Sequence, residues 1–411
     1  MPGQLYDVII AGAGPAGLST ALSLAGTNLA IALVEKESFP RDKICGDALS
    51  AAVMNVLKRL PDNIYQDFLD FPMKTPSNGI RFIAPDHGFV DVPFTINERP
   101  DTPASGFICK RIDFDNFLLE KVQRYKNIRV FQDFKISHAQ VSNEGVIISD
   151  GKEELKAKMI VGADGIHSVI ASSFSGNKLD HNHYSIATRA YFKNVKELHP
   201  RGYIELHFFK ELLPGYFWIF PMQNDEVNVG LVMMFNRVRK SKQNLSKTML
   251  DLIEKTPELK RRFGNATMTG KIGGYGLPLG PVKKTLSGNR FLLTGDAASL
   301  IDPFSGEGIG NAMVSGEIAA QVIKKTFMKG DFSGEVLSTY DKIIERKIGK
   351  ELKISHWIQQ LARLPWLFNF VVGKARKNDD LKKMLTKMMT NQAVKSELIN
   401  PLFYMKLLFK K

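Results

Sequence analysis

The sequence is poor in cysteine. It contains two, Cys45 and Cys109, among 411 residues, too few for a disulfide framework or a cysteine-based metal site. This usage suits a reducing compartment, so we expect a cytoplasmic protein without a metal ion. Zinc-ligand spacing, an aromatic RNA-binding signature and a basic region followed by heptads are also missing. The net charge of +14 therefore does not indicate nucleic-acid binding.

Charge is missing from residues 8–34, although 24% of the chain is charged. The length would permit a membrane span, since about 20 apolar residues suffice. No Lys or Arg precedes the run, so we expect no secretion signal. Gly12, Gly14, Pro15 and Gly17 interrupt it, and these residue types end regular elements and turn the chain. We predict a strand, a glycine turn, a helix and a second strand.

The three glycines fit the pattern G-x-G-x-x-G. In a βαβ unit Gly12 permits the tight turn, Gly14 lets a pyrophosphate approach the backbone, and Gly17 lets the helix pack on the strand. The free N–H groups of the helix then face the phosphates. Glu35 ends the second strand, where a carboxylate can bind an adenosine ribose. The stretch therefore predicts a dinucleotide site, and its strands lack charge because both faces are buried.

Two later segments place an acid directly after a buried strand, where ligands of open α/β sheets bind. In "AKMIVGADG" the acid is Asp164, and in "RFLLTGDAASLIDPFSGEGIG" it is Asp296. Asp296 could accept from a ribityl hydroxyl, and the backbone at Gly308 and Ile309 could approach an isoalloxazine ring. With the glycine turn, these segments predict FAD. The residues assigned to the cofactor here are Asp164, Gly295, Asp296, Pro303, Gly306, Gly308 and Ile309.

The order of predicted elements indicates an α/β fold with α+β elements. We predict a discontinuous Rossmann-like FAD-binding domain of the glutathione-reductase type, a β-sheet substrate domain and C-terminal helices. The expected bounds are 1–75, 105–180 and 281–330 for the FAD-binding domain, 76–104 and 181–280 for the substrate domain, and 331–411 for the C-terminal region.

The C-terminal segment concentrates positive charge. Residues 371–411 hold ten Lys or Arg against three acids, with aromatic and aliphatic residues between them. This composition suits a helix at an anionic membrane surface, so we expect peripheral contact with the inner face of the membrane. It equally suits a helical cap packed on the body, because periodicity cannot separate a face against protein from a face against lipid.

Five motifs together resemble the geranylgeranyl reductase family of FAD-dependent oxidoreductases, within the hydroxybenzoate-hydroxylase-like flavoprotein fold. They are "GAGPAG", "FPRDKICGDALS", "GADG", "PGYFWIFP" and "GDAASLIDPFSGEGI". The resemblance spans roughly residues 5–345. The second and fourth motifs are the more specific ones. The chain departs from the family after "GADGIHS", where "VIASSF" lacks an Arg that the family often places there.

The resemblance implies FAD contacts and a substrate tunnel. The resemblance implies that Arg111, at the start of a helix, contacts FAD. The alternative is that Arg111 forms a surface ion pair with Asp115. Tyr216, Trp218 and Phe220 share one face of a strand, which lines the tunnel in the family and by spacing alone could equally be a core aromatic ladder. The implied cofactor residues, with Lys36 added beside Glu35, are Ala16, Glu35, Lys36, Cys45, Gly46, Ala48, Arg111, Asp296, Gly308 and Ile309.

The function that the resemblance implies is reduction of carbon–carbon double bonds in an isoprenoid or lipid-like substrate, by hydride from reduced FAD. Without a second G-x-G-x-x-G, the expected electron donor is a transient NAD(P)H or a ferredoxin. Cys45 is a candidate proton source, or alternatively a small hydrophobic residue. The alternatives are a flavin monooxygenase or halogenase and a non-catalytic flavin- and lipid-binding protein. We expect a monomer.

Overall fold

The computed structural model describes residues 5–95, 104–282 and 284–390. The prediction for the basic C-terminal segment falls partly on residues 391–411, which lie outside this set.

Strands and helices alternate through the first half of the described chain, and helices dominate its end. The strands are β1 (Leu5–Ala11), β2 (Ile31–Val34), β3 (Ala48–Leu49), β4 (Thr75–Ser77), β5 (Gly79–Ile83), β6 (Phe89–Pro93), β7 (Gly106–Ile108), β8 (Ile128–Phe131), β9 (His138–Val141), β10 (Val146–Ser149), β11 (Glu154–Gly162), β12 (Tyr184–Lys193), β13 (Ile204–His207), β14 (Tyr216–Pro221), β15 (Glu226–Met234), β16 (Thr267–Pro278), β17 (Ser287–Gly288) and β18 (Phe291–Leu293). The helices are α1 (Pro15–Leu24), α2 (Ala51–Leu57), α3 (Ile64–Asp70), α4 (Arg111–Val122), α5 (Phe235–Ser241), α6 (Leu245–Lys255), α7 (Pro257–Phe263), α8 (Ile309–Lys329), α9 (Gly334–Ile344), α10 (Lys350–Leu361), α11 (Pro365–Lys377) and α12 (Asp379–Thr390).

The first sheet has the order β17-β18-β11-β1-β2-β8, and β10 and β9 extend it from β11. Its central pairs are parallel: β1 runs beside β2 and β11, with Val8 opposite Ile31 and Met159. Helix α1 packs against α8 and α4. Residues 8–11 are fully buried, so the charge-free stretch forms the centre of a covered parallel sheet. The predicted Rossmann-like α/β fold is confirmed.

The second sheet has the order β16-β12-β15-β14-β13-β5-β6. All its pairs are antiparallel except β13 with β5. A small third sheet, β3-β7-β4, lies between the loop after β2 and helix α4 in the chain. Strand β14 occupies the middle of the second sheet, and each of its residues is buried. Strand β16 is not predictable from the sequence, because its glycines are unfavourable for a strand.

The C-terminal helices α11 and α12 pack on the outer part of the second sheet, against β6. Val372, Ala375 and Leu381 are buried in one cluster with Phe82 and Val90. Over its described part, this region therefore packs on the body, which is one of the two alternatives left open by the sequence. Throughout the described ranges, every helix falls short of the length and apolarity that crossing a bilayer requires.

Candidate active site

The glycine turn after β1 forms an open cradle. Gly12 has φ +104°, and a Cβ there would lie 2.4 Å from the carbonyl oxygen of Ala163. A Cβ on Gly17 would lie 1.9 Å from the carbonyl oxygen of Gly12, so neither position accepts a side chain. A Cβ on Gly14, by contrast, would meet nothing within 4 Å. Helix α1 begins at Pro15 without a side-chain cap, which leaves its first N–H groups available to an anion.

Ala16 and Gly295 lie where α1 meets the start of α8. A Cβ on Gly295, whose φ is +57°, would approach the Ala16 Cβ to 3.1 Å and the Ala312 Cβ to 3.3 Å. A Cβ on Gly316 would lie 2.3 Å from the Ala16 carbonyl oxygen. Small residues therefore bring the two helix N-termini together, and Asp296 follows directly at this junction.

Two arginines and two acids form a buried chain of ion pairs beside the cradle. The Glu35 carboxylate accepts from the Ala13 N–H at 2.9 Å and lies 3.6 Å from Arg41. Arg41 donates to Asp115 at 2.7 Å, and Arg111 donates to the same carboxylate at 2.7 and 2.6 Å. Burial acts to raise the pKa of Asp115, but Arg111 and Arg41 outweigh it and hold that pKa below its usual range.

The surface ion pair considered for Arg111 is wrong in one respect. Arg111 does pair with Asp115, but both side chains are almost completely buried. The loop after β2 covers the first turn of helix α4. Two hydrogen bonds hold it there: the Arg111 N–H donates to the Asp47 carboxylate at 3.3 Å, and the Cys109 N–H donates to the Asp47 carbonyl oxygen at 2.9 Å.

The loop that carries Cys45 is fixed by the second sheet. The Cys45 carbonyl oxygen accepts from Asn228 at 2.9 Å and from Arg189 at 3.3 Å. Arg189 also donates to Asp42 at 3.0 Å. Burial raises the pKa of the Cys45 thiol, so the sulfur keeps its proton and does not have the thiolate character of a reactive cysteine.

A lysine that the sequence analysis passed over engages Asp296. Lys43 donates to the Asp296 carboxylate at 3.0 Å and lies 4.7 Å from the centre of the Tyr275 ring. Burial acts to lower the pKa of Lys43, but Asp296 and Tyr275 together outweigh it and raise that pKa. The carboxylate that we assigned to the ribityl chain is therefore held in place by a permanent cation.

The turn before α8 is built around Asp302. Its carboxylate accepts from the N–H groups of Phe304 and Ser305 at 3.0 and 2.9 Å, and Gln359 donates to the Pro303 carbonyl oxygen at 2.6 Å. Gly306 has φ +73°, which turns the chain into the helix. The turn leaves Gly308 and Ile309 on the wall of the cavity described below.

The three aromatic residues of β14 form a ladder on one face of the strand. The Trp218 ring centre lies 6.3 Å from that of Tyr216 and 6.1 Å from that of Phe220. The Tyr216 hydroxyl donates to the Ser305 carbonyl oxygen at 2.6 Å, which ties the ladder to the turn before α8. A Cβ on Gly46 would lie 3.0 Å from the Phe220 ring, so the ladder directly faces the Cys45 loop.

A cavity of about 1070 Å³ joins these features. We call its two parts the dinucleotide end and the apolar end. The dinucleotide end is lined by Pro15, Lys43, Cys45, Gly46, Asp47, Ala48, Arg111, Asp296, Gly308 and Ile309. The apolar end is lined by aliphatic and aromatic side chains of the second sheet, the turn before α8 and the C-terminal helices, among them Phe82, Val90, Leu206, Phe304, Phe368 and Val372. The ladder Tyr216, Trp218 and Phe220 lines it between them.

Several predicted cofactor residues lie outside this wall, namely Gly12, Gly14, Ala16, Gly17, Glu35, Lys36, Asp164, Gly295 and Pro303. The Lys36 side chain is 64% exposed and lies 3.9 Å from Glu37. Asp164 accepts from the Ser168 hydroxyl and from the N–H groups of Val169 and Ile170 at 2.7 and 3.2 Å, so it caps the turn after β11. Contact of these residues with the cofactor stays a prediction.

The residues present fit FAD. An open glycine, Gly14, stands before an uncapped helix that suits a pyrophosphate. Asp296, the Cys45–Ala48 loop and the start of α8, predicted for the ribityl chain and the ring, line the cavity, and Glu35, predicted for the adenosine ribose, lies at the Ala13 N–H of the glycine turn. Residues that the sequence analysis missed, Arg41, Lys43, Asp47, Tyr191 and Asn228, hold these groups in position. The only sign of these residues in the sequence was the charge of Arg41, Lys43 and Asp47 in the motif "RDKICGD".

The fold and the site define an FAD-dependent oxidoreductase with an apolar substrate cavity. The chain matches the family described as FAD binding domain over residues 5–348, and it belongs to that family. A digeranylgeranylglycerophospholipid reductase of Thermoplasma volcanium is 27% identical over 376 residues, which cover 88% of this chain and 89% of the relative. A menaquinone reductase of Mycolicibacterium smegmatis is 25% identical over 396 residues, covering 94% and 91%.

The fold recurs in a solved structure. A geranylgeranyl bacteriochlorophyll reductase-like protein of Thermoplasma acidophilum superposes with a TM-score of 0.80 over 96% of this chain and 98% of that chain, at 23% identity. This likeness concerns the fold, and the family match identifies FAD as the cofactor.

Proposed function

We propose that this protein reduces carbon–carbon double bonds in the isoprenoid chain of a lipid. The observation that carries the proposal is the continuity of the cavity, which runs from the predicted flavin site past the aromatic ladder into the apolar end. An apolar slot of this kind buries a flexible hydrocarbon chain and excludes water from the reacting carbons. The names of the two relatives, reductases of a digeranylgeranyl glycerophospholipid and of menaquinone, support the same substrate class.

The residues of the site hold and orient rather than react. FAD, once bound and reduced, supplies the hydride. Tyr216, Trp218 and Phe220 form the wall along which a prenyl chain would lie, and the Cys45–Ala48 loop faces that wall. The electron donor that we propose is NAD(P)H or a ferredoxin, which reaches the flavin transiently.

We further propose that the protein takes its substrate from a membrane through α10 and α11. These helices present Trp357, Leu364 and Trp366 to solvent, with 46%, 41% and 66% of their surfaces exposed. The same segment supplies Leu361 and Phe368 to the apolar end of the cavity. Residues 350–377 also hold six Lys or Arg against one acid. Apolar and basic residues in this combination favour an anionic membrane surface.

The reductase proposal is tested by reoxidation of the reduced flavin. The FAD-loaded protein is reduced chemically without oxygen and mixed with a geranylgeranyl glycerophospholipid or with its fully saturated counterpart. We expect the flavin absorbance to return only with the unsaturated lipid. Reduced flavin that no prenyl compound reoxidises would favour the non-catalytic alternative, and reoxidation that requires oxygen would favour a monooxygenase or halogenase.

The membrane proposal is tested by co-sedimentation with vesicles of anionic phosphatidylglycerol or neutral phosphatidylcholine. We expect binding to the anionic vesicles, weakened at least about tenfold by Trp366→Ala, because burial of a large apolar side chain is worth about 1.5 to 3 kcal/mol. Leu250→Ala is the matched control, since Leu250 is 42% exposed on α6 outside the C-terminal helices. Equal loss of binding in both variants would contradict the proposed surface.

A further inference from the structure

Asp47 is a fully buried carboxylate in the wall of the dinucleotide end. Its φ of +64° lies in the left-handed region that residues other than glycine seldom adopt. Strained backbone of this kind persists where the surrounding structure fixes it, and it clusters at functional sites. Asp47 follows Cys45 and Gly46, and it was not among the cofactor or catalytic residues that the sequence predicted.

The two oxygens of Asp47 have different surroundings. Oδ2 accepts from the Tyr191 hydroxyl at 2.6 Å and from the Asn228 amide at 2.8 Å. Oδ1 has one long contact, 3.3 Å from the Arg111 N–H. Two strong donors therefore fix Oδ2, while Oδ1 keeps the capacity to carry a proton.

The same network connects Asp47 to the proposed substrate wall. The Trp218 indole N–H donates to the Asn228 side-chain oxygen at 2.8 Å, which fixes the orientation of that amide. In this orientation the Asn228 NH₂ group donates to both the Asp47 carboxylate and the Cys45 carbonyl oxygen. A carboxyl group, a flavin-facing loop and an aromatic wall are thus held in one rigid arrangement.

Tyr191 gives this buried carboxyl a connection to the outside. Its side chain is only partly buried, with Arg189 and Lys110 lying 4.1 and 4.6 Å from its ring centre. Burial and the neighbouring Asp47 raise the pKa of the Tyr191 hydroxyl. The hydroxyl therefore stays neutral and can both donate and accept a proton along a hydrogen-bonded chain.

Burial raises the pKa of Asp47 to about 6, against the opposing effects of Tyr191, Arg189 and Asn228. A carboxyl group with such a pKa carries a proton in part of the molecules near neutral pH, as a general acid requires. Charges of both signs surround it. The titratable and charged groups that face it are Arg189 and Tyr191 from β12, Arg111 from α4, Cys109 just before α4, and Asp42 and Cys45 from its own loop.

We propose that Asp47 is the proton donor of the reduction and that Tyr191 restores its proton from solvent. The inference rests on the proposed function. Reduction of a double bond breaks one π bond and forms two C–H bonds: one carbon takes a hydride from reduced FAD, and the other takes the proton from Oδ1. Asp47 is left as a carboxylate; the Tyr191 hydroxyl returns a proton to Oδ2 as it takes one up from solvent, and rotation about the Cβ–Cγ bond brings the protonated oxygen to the position of Oδ1. Cys45 then serves as a packing residue of the loop.

The first test needs neither cofactor nor substrate. Infrared difference spectra of the apoprotein across pH 4–8 should show a protonated-carboxyl band that titrates near pH 6 and is missing in Asp47→Asn. Tyr191→Phe should move the midpoint of the band to higher pH, because it removes a hydrogen bond that favours the charged form. A wild-type spectrum without such a band would overturn the proposal, whatever the substrate proves to be.

The second test is a single-turnover experiment on the FAD-loaded protein. Asp47→Asn should bind FAD and be reduced like the wild type, but the prenyl lipid should reoxidise it at least about 100-fold more slowly. In the wild type this rate should fall tenfold per pH unit above about pH 6, and in the variant it should be independent of pH. Asp251→Asn, which removes an exposed carboxylate on α6, should behave as the wild type.

Two outcomes separate this inference from the proposed function. If the wild type reduces the lipid and Asp47→Asn does so at the same rate, Asp47 is not the donor although the protein is a reductase. If the wild type reduces no lipid although the carboxyl band is present, the proposed function fails and with it the role of Asp47 in it. Should Asp47→Asn not fold, Tyr191→Phe decides, since an unshifted pH profile in that variant overturns the relay.

Discussion

Because Gly14 lies in open space, we predict that adding one methyl group there weakens FAD binding without disturbing the fold. Gly14 has φ −84° and ψ −178°, a conformation open to any residue, and a Cβ there would meet no protein atom within 4 Å. Gly14→Ala should therefore leave the apoprotein intact, and it should even stabilise it by about 0.4–1 kcal/mol because alanine restricts the unfolded chain. The same methyl group would occupy the space through which a pyrophosphate approaches the backbone.

The expected loss of FAD affinity follows from that overlap. Forcing an extra methyl group into a filled site costs about 1–3 kcal/mol, so the dissociation constant of FAD should rise roughly 5- to 150-fold. Flavin fluorescence titration measures the affinity, and urea unfolding of the apoprotein measures the stability. Gly373→Ala is the matched control, since a Cβ on Gly373 also meets nothing within 4 Å and it lies in α11. Wild-type FAD affinity in Gly14→Ala would refute the assignment of the cradle to the pyrophosphate.

Three further predictions concern folding and substrate length. Gly17→Ala should destabilise the apoprotein by at least about 3 kcal/mol in urea unfolding, because its Cβ would lie 1.9 Å from the carbonyl oxygen of Gly12; an unchanged midpoint would contradict this. Arg262 donates to the buried Glu205 at 2.7 and 2.8 Å, and Arg262→Met should cost about 3–5 kcal/mol at pH 7, since it removes the guanidinium from a buried carboxylate and leaves His207 beside it. Burial acts to raise the pKa of Glu205, but His207 and Arg262 lower it from 4.5 to about 2. The contribution of ionised Glu205 to the stability of the fold should therefore be complete above about pH 4.5 and disappear as the pH falls toward 2. Val90→Phe should narrow the apolar end of the cavity and slow reduction of a twenty-carbon prenyl chain about tenfold more than that of a ten-carbon chain, and equal slowing would argue against this part of the cavity as the tunnel.

The parts of the structure that the sequence predicts are local. The strand, glycine turn and helix of residues 5–24 could be predicted because close backbone approaches at Gly12 and Gly17 leave room for no other residue. The acid after a strand also drew attention to Asp296, which lies in the cavity wall, while its contact with the cofactor stays a prediction. Asp164 also follows a strand, but in the structure it caps a turn, because its carboxylate accepts from three donors within six residues of its own position.

The parts that the sequence does not predict depend on contacts between distant segments. Asp47 receives its partners from Tyr191 and Asn228, which lie 144 and 181 positions further along the chain. Strand β16 was missed because glycine is unfavourable in strands, yet a Cβ on Gly276 would lie 1.8 Å from the Tyr184 hydroxyl of the neighbouring strand. A surface ion pair stayed open as the alternative for Arg111 because the sequence does not show that a loop covers the first turn of α4.

The mass of the product of a single anaerobic turnover tests the central claim most directly. The FAD-loaded protein is reduced chemically, oxygen is removed, and a geranylgeranyl glycerophospholipid is added in less than equimolar amount. The proposed function predicts a gain of two hydrogens per reduced bond in the lipid, with none when the flavin is left oxidised. A lipid whose mass is unchanged after the flavin has been reduced, or one that changes only when oxygen is admitted and then gains oxygen, would contradict the account.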